Sequence, residues 1–165
     1  KVTTGVPYFV EIEHHQPSLL SNEIQEKIKK ETIKALNSLQ IQYGASHSEF
    51  KITESGIVYA IEVGARMGGD FIGSHLVELS TGYDFVSGVI KIALGEFNTI
   101  ESNLKNHSGI YFLCKETERL TPFFEKDNYF DVEKNILNKT LKNIANSNDR
   151  SGYLIYKSNK KVNLK

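Results

Sequence analysis

Two glutamates and one arginine carry the clearest chemistry in this sequence. Glu62 follows Glu49 by thirteen positions, and Arg66 follows Glu62 by four. The stretches "YGASHSEFKIT" and "IVYAIEV" around the glutamates are rich in β-branched and aromatic residues, and Glu54-Ser55-Gly56 joins them as a turn. If Ser55 and Gly56 form a two-residue loop, cross-strand partners have numbers summing to 111. Glu49 then faces Glu62 directly, with Cβ atoms roughly 4.5 to 5.5 Å apart. A three-residue loop or a bulge makes them diagonal neighbours, still within reach of a shared ion. Opposed like charges destabilise a ladder unless something neutralises them. A divalent cation does so, and magnesium accepts one or two carboxylates joined by waters and phosphate oxygens.

The competing reading is a solvated sheet face on which Lys51, sharing the glutamates' face by parity, is the counter-charge. The residues after Glu62 shift the balance. Gly64, Gly68 and Gly69 can let a ligand approach the backbone or form an N–H nest for anions, with Asp70 expected to start a helix. Arg66 supplies a fork for phosphate or carboxylate oxygens. Phe50, Ile52, Ile57, Tyr59, Ile61 and Val63 are expected to form the buried face behind the acids.

These residues need elements to hold them. "GVPYFVEIE" (5–13) reads as a strand, interrupted by "HHQPSLLSN", with a helix starting near Ser21 and running to about Gln40. Ile24, Ile28, Leu36 and Leu39 form its apolar stripe. "DFIGSHLVELSTG" reads as a short helix capped by Asp70 and closed by Gly82, and "DFVSGVIKIALG" as another from Asp84 to Gly95. Beyond a polar loop, "IYFLC" is expected as a strand, "DVEKNILNKTLKNIANS" as a helix with Val132, Ile136 and Leu141 inward, and "GYLIYKS" as a closing strand. The tail "KSNKKVNLK" reads as a solvated end. The fold class is α+β. A main body over residues 1–104 and a small β/α appendage over 105–165 are expected.

The chain has 165 residues and a formal net charge of zero, so no global field recruits nucleic acid or an anionic membrane. Cys114 is the only cysteine, which excludes an internal disulfide and makes a cytoplasmic setting the default. No apolar run is long enough for a membrane span. Met67 is the only methionine, so the chain reads as processed or as a piece of something longer.

"GASHSEFKI", Glu62 and "EVGARMGGD" resemble the metal-binding end of the ATP-grasp ligases. The forms E-x-x-x-R (Glu62, Arg66) and H-x-E (His47, Glu49) are most similar to the L-amino-acid ligase branch, and "YFVEIEHHQPS" adds a matching Glu11 and His14. The resemblance covers residues 5–100 and is weaker beyond residue 105. It implies the C-terminal part of an ATP-grasp fold, an antiparallel sheet with packed helices. By the same resemblance Glu49 and Glu62 bind magnesium or manganese bridging the phosphates of ATP. Arg66 stabilises the transferring phosphoryl group and acyl phosphate, and Glu11 with His14 lines the site for the carboxylate substrate's amino end. His47, Lys51, Gly68 and Gly69 lie near the phosphates. The implied reaction is activation of a carboxylate to an acyl phosphate, then attack by an amine with release of ADP and phosphate. Its partners are a small carboxylate, a small amine and the N-terminal part of the same protein, with a homodimer as a candidate assembly.

The sequence departs from the pattern in three places. Gly64 stands where many ATP-grasp enzymes have a metal-binding asparagine, and Asp70 where some amino-acid ligases have a bulky aromatic. The family's nucleotide-binding lysines and glycine-rich loop would lie upstream of residue 1, so the chain alone is expected neither to bind ATP tightly nor to turn over. Rival readings are a carboxylase or carbamoyl-phosphate-type enzyme, a formate-dependent purine-pathway relative, a non-catalytic ATP-grasp-like module, and a phosphatase or nuclease built on paired acids. His14 and His15 beside Glu11 and Glu13 fit no familiar zinc spacing. His75 reads as structural, Cys114 as an inert core thiol, and Arg150 and Tyr153 have no role.

Overall fold

The computed structural model describes residues 1–98, 100 and 105–164. In chain order its elements are β1 (Val2–Thr3), β2 (Glu11–Gln16), α1 (Asn22–Ser38), β3 (His47–Ile52) and β4 (Val58–Gly64). They continue with α2 (Val77–Thr81), α3 (Phe85–Leu94), β5 (His107–Leu113), α4 (Thr121–Glu125), β6 (Asp131–Ile136) and β7 (Gly152–Ser158). The chain divides into two units, one holding residues 18–74 and 84–101, the other holding residues 1–17, 75–83 and 102–165. The expected boundary at 104/105 falls where residues 101–104 lie outside the described ones.

The first unit is built on the two-stranded antiparallel ladder β3–β4. Helix α1 is capped by Ser21, whose hydroxyl accepts from the Ile24 amide at 3.4 Å. The helix packs on β4, and its stripe of Ile24, Ile28 and Leu36 is half-buried while Leu39 is exposed. Helix α3 runs between Asp84, which accepts from the Ser87 amide, and Gly95 in the left-handed region, as its sequence signals require. Asp70 does not cap a helix. Asp70 and Phe71 have φ of 49° and 62°, and the Ile72 amide donates to Gly69 O at 2.8 Å, which is the geometry of a type I′ turn.

The second unit is a five-stranded antiparallel sheet in the order β1-β2-β5-β7-β6. Its core gathers Tyr111, Leu113, Leu120, Phe124, Phe130, Leu154 and Tyr156, and a second cluster joins Val10 and Ile12 to Cys114 and Ile144. The first expected strand begins later than its sequence suggested and continues through both histidines to Gln16, where Pro17 removes the next amide. His107 begins β5.

The expected helix over 131–147 is absent. Residues 131–136 form an edge strand against β7 and the rest is irregular. A spacing of four, as between Val132 and Ile136, fits a strand face as well as a helix face, and Asn138, Asn143 and Asn146 then disfavour helix. The tail is not solvated either. Val162 and Leu164 are buried, and the Tyr111 hydroxyl donates to Val162 O at 2.6 Å and accepts from the Leu164 amide at 3.3 Å.

Candidate active site

In the first unit the hairpin loop has three residues, not two. The Thr53 amide donates to Ile57 O at 3.0 Å, and Gly56 takes the left-handed conformation (φ 78°) that closes such a loop. Near the turn, paired residue numbers therefore sum to 110, as in Phe50 with Ala60 and Lys51 with Tyr59. A bulge then absorbs Ile61 on β4, and beyond it Glu49 lies directly opposite Glu62. The expected pairing of the two acids is present, reached through a longer loop and a compensating bulge.

The bulge changes which residues share a face. Tyr59 pairs with Lys51 rather than joining the apolar side, and Ile57, Tyr59 and Ile61 are all exposed, so the expected buried face is only partly formed. Phe50, Ile52, Val58 and Val63 are the half-buried residues of the ladder's apolar set. Arg66 reaches back to Glu62, Nη2 to Oε1 at 3.3 Å, while Nη1 donates to Met67 O at 3.0 Å. His47 Nε2 lies 3.7 Å from Glu49 Oε1.

The three glycines behave differently from one another. A Cβ on Gly68 would come within 3.0 Å of His47 Nδ1 and 3.1 Å of Ile72, so Gly68 makes room for the histidine beside Glu49. A Cβ on Gly69 would meet nothing, and one on Gly64 would make only ordinary contacts. Arg66 also lines a cavity of about 580 Å³ with Tyr43, Ala65, Val89 and Ile92. Among the described residues no group of three or more His, Cys, Asp or Glu side chains is gathered to hold a metal. Two opposed carboxylates without a third protein ligand fit a cation that completes its shell with water and phosphate oxygens, as magnesium does.

In the second unit, strand alternation would send Glu11 and His14 to opposite faces. The β1–β2 ladder pairs Thr3 with Glu11 and Val2 with Glu13, so Ile12 is an extra residue that breaks the alternation. Glu11 Oε1 accepts from Lys1 Nζ at 3.0 Å, and Oε2 lies 3.6 Å from Arg150 Nη2. The Arg150 guanidinium stacks 3.8 Å from the Phe112 ring centre, and His14 meets the same ring edge-on at 6.2 Å. Burial pushes the Glu11 carboxyl up, but its own backbone N–H, Lys1 and His14 outweigh that and hold it below the ordinary carboxylate range. His15 is engaged through both ring nitrogens, at 2.9 Å to Glu13 and 2.9 Å to the Tyr156 hydroxyl. Burial, partly offset by Glu13, lowers its pKa. Cys114 is buried and its thiol pushed up by that burial, an inert core group.

Arg150 is the residue that sequence reasoning left without a role. Its partner lies 139 positions away, and the only local signal was an arginine amid turn-forming residues.

Residues 11–100 match the family model described as the ATP-binding domain of the carbamoyl-phosphate synthase L chain. The chain belongs to that family. Its fold is correspondingly ATP-grasp. It is similar to the crystal structure of L-amino acid ligase from Bacillus licheniformis, with TM-score 0.72 and 23% identity over 93% of this chain and 40% of that one. It is also similar to N5-carboxyaminoimidazole synthetase from Staphylococcus aureus complexed with ADP, with TM-score 0.63 and 17% identity over 90% and 38%. A third similar structure is the biotin carboxylase domain of Hydrogenobacter thermophilus 2-oxoglutarate carboxylase with MgADP and bicarbonate. There the TM-score is 0.61 and the identity 21%, over 90% and 35%. At these identities the likeness is one of fold, and this ATP-grasp chain spans about two fifths of the length of those structures. No curated protein matches it. Among the described residues no helix is long and apolar enough to cross a membrane.

Proposed function

We propose that this chain supplies the metal- and phosphate-handling part of an ATP- and magnesium-dependent carboxylate–amine ligase. The observation that carries the reading is the register that sets Glu49 opposite Glu62 with Arg66 paired to Glu62. Glu49 and Glu62 would hold the cation, which when bound would neutralise charge on the ATP phosphates. Arg66 then exchanges Glu62 for the equatorial oxygens of the transferring phosphoryl group, a swap its exposure permits. His47, seated by Gly68, keeps Glu49 oriented, while Lys51 and the glycine turn lie at the phosphate end. Glu11 and His14 receive the amino end of the carboxylate substrate.

In the reaction a substrate carboxylate oxygen attacks the γ-phosphorus, the bond to the β-phosphate oxygen breaks and ADP leaves. The amine then attacks the acyl carbon, loses a proton, and phosphate departs with its bridging oxygen. Both reactants are small molecules, with neither nucleic acid nor membrane involved. Further residues of the same protein complete the site.

The test is ADP release by the full-length protein against a panel of carboxylic and amino acids, with and without Glu62→Gln. Substrate-dependent release that drops at least about a hundredfold in the variant supports the reading. Unchanged release defeats the metal assignment. Release that requires bicarbonate and no amino acid would move the protein to the carboxylase type.

A further inference from the structure

A buried arginine is costly unless its charge and its donors are met. Arg150 has a side chain 8% exposed, and three features of the second unit offset part of that cost. Its Nε donates to the backbone oxygen of Glu11 at 3.1 Å, Nη2 lies 3.6 Å from the Glu11 carboxylate, and its plane rests 3.8 Å from the centre of Phe112. The residue is delivered by a short 3-10 turn, Ser147–Asp149. Asn146 accepts there from the Asn148 amide at 2.9 Å, and Asp149 accepts from the Asn146 amide at 3.1 Å. The next residue is pinned to the sheet, the Ser151 amide donating to Leu113 O at 2.6 Å. Backbone, stacking and hydrogen bond together leave the guanidinium little freedom.

The two oxygens of Glu11 are used unequally. Oε2 faces the immobilised Arg150, while Oε1 accepts at 3.0 Å from the ammonium of Lys1, whose side chain is 35% exposed. Oε1 is thus already met by a primary ammonium, the chemical group that an amino-acid substrate carries. A carboxylate that must discriminate an ammonium by a short contact has to be ionised and fixed in one rotamer. Against burial, its backbone N–H, Lys1 and His14 keep Glu11 ionised, and Arg150 holds its position through the backbone oxygen at 3.1 Å and the far carboxylate oxygen at 3.6 Å.

We propose that Arg150 is a positioning residue that fixes Glu11 for recognition of a substrate α-ammonium group. The inference rests on the ligase reading and deepens it by naming the residue that holds Glu11 for the substrate's amino end. Phe112 is the platform for the device, because it carries the guanidinium on its face and His14 at its edge.

The experiment measures ATP-dependent ADP release by the full-length protein with an amino acid and with the same acid lacking its amino group. The readout is the ratio of the two kcat/KM values in wild type, Glu11→Gln, Arg150→Met and Arg150→Lys. Glu11→Gln and Arg150→Met are each expected to lower the preference for the amino acid about tenfold, through the KM of the amino acid. In Arg150→Met the KM for ATP and the kcat with the des-amino acid should stay near wild type, which a general loss of structure would not allow. Arg150→Lys keeps a cation but loses the planar fork, and is expected to lower the preference about threefold. It also decides the question if Arg150→Met does not fold. A preference reduced by Glu11→Gln but untouched by both Arg150 variants overturns the inference while the ligase reading stands. A preference untouched by Glu11→Gln removes the role of Glu11 and the inference with it, whereas loss of all substrate-dependent release in wild type defeats the ligase reading itself.

Discussion

The two acidic regions of the molecule solve opposite problems. Glu11 is set into protein, with a side chain 27% exposed and cations of the same unit on both oxygens. Glu62 stands on an open hairpin at 53% exposure, opposite another acid, with the half-exposed Arg66 at 3.3 Å. An exposed pair at that distance contributes little, typically under about 1 kcal/mol, whereas a buried charge left without its partner is expensive. The first carboxylate is therefore held in place by its surroundings, while the second keeps much of its freedom.

That contrast can be broken most directly by removing one arginine from each region. Arg66→Met in the full-length protein is expected to cut ADP release about a hundredfold or more while shifting the denaturation midpoint hardly at all. Arg150→Met should instead cost about 2 kcal/mol of stability in urea unfolding, because it removes the Nε donor to Glu11 O and uncovers the face of Phe112. Equal stability losses for the two would erase the distinction.

A smaller effect sharpens the hairpin side. Gly68→Ala is expected to lower activity about tenfold by displacing His47, and Gly69→Ala, whose added methyl meets open space, to stay within about twofold. Equal losses at the two glycines would mean that the turn needs glycine for its backbone and not for the seat of the histidine.

The smallest effect is the pH dependence of stability. The Glu11 carboxyl is held below its unfolded value, so its contribution is complete above the unfolded pKa of about 4.3 and is lost as pH falls through the folded value. Urea midpoints recorded between about pH 7 and pH 3 should therefore fall more steeply on the acid side for wild type than for Glu11→Gln. Parallel curves would show that Lys1 and His14 do not hold the charge.

Local physics accounts for what the sequence made legible. The hairpin, the Ser21 cap and the helix between Asp84 and Gly95 are written in neighbouring residues, whereas the pairing of Glu49 with Glu62, expected from a two-residue turn, is produced by a three-residue loop and a bulge. The Ile61 bulge is not written there, because two-residue and three-residue loops begin from the same Glu-Ser-Gly. The strand at Asp131–Ile136 was hidden by a spacing common to both periods, and the burial of Val162 and Leu164 by the lysines around them. Arg150 and Phe112 were invisible for a simpler reason. Each acquires meaning only from a partner on a distant strand, and no local pattern records which arginine a sheet will bring to which carboxylate.

The extra residue at Ile61 also bears on how relatives of this chain are to be found. With the same three-residue loop and a straight ladder, residue 49 would face residue 61, so a cousin without the bulge carries the identical acid pair at a separation of twelve instead of thirteen. A search pattern with rigid spacing between its two acids would discard such a cousin, although its side chains meet in the same place. The quantity that selection can preserve here is the meeting of two side chains across a ladder, and the number of residues between them is free to drift by one.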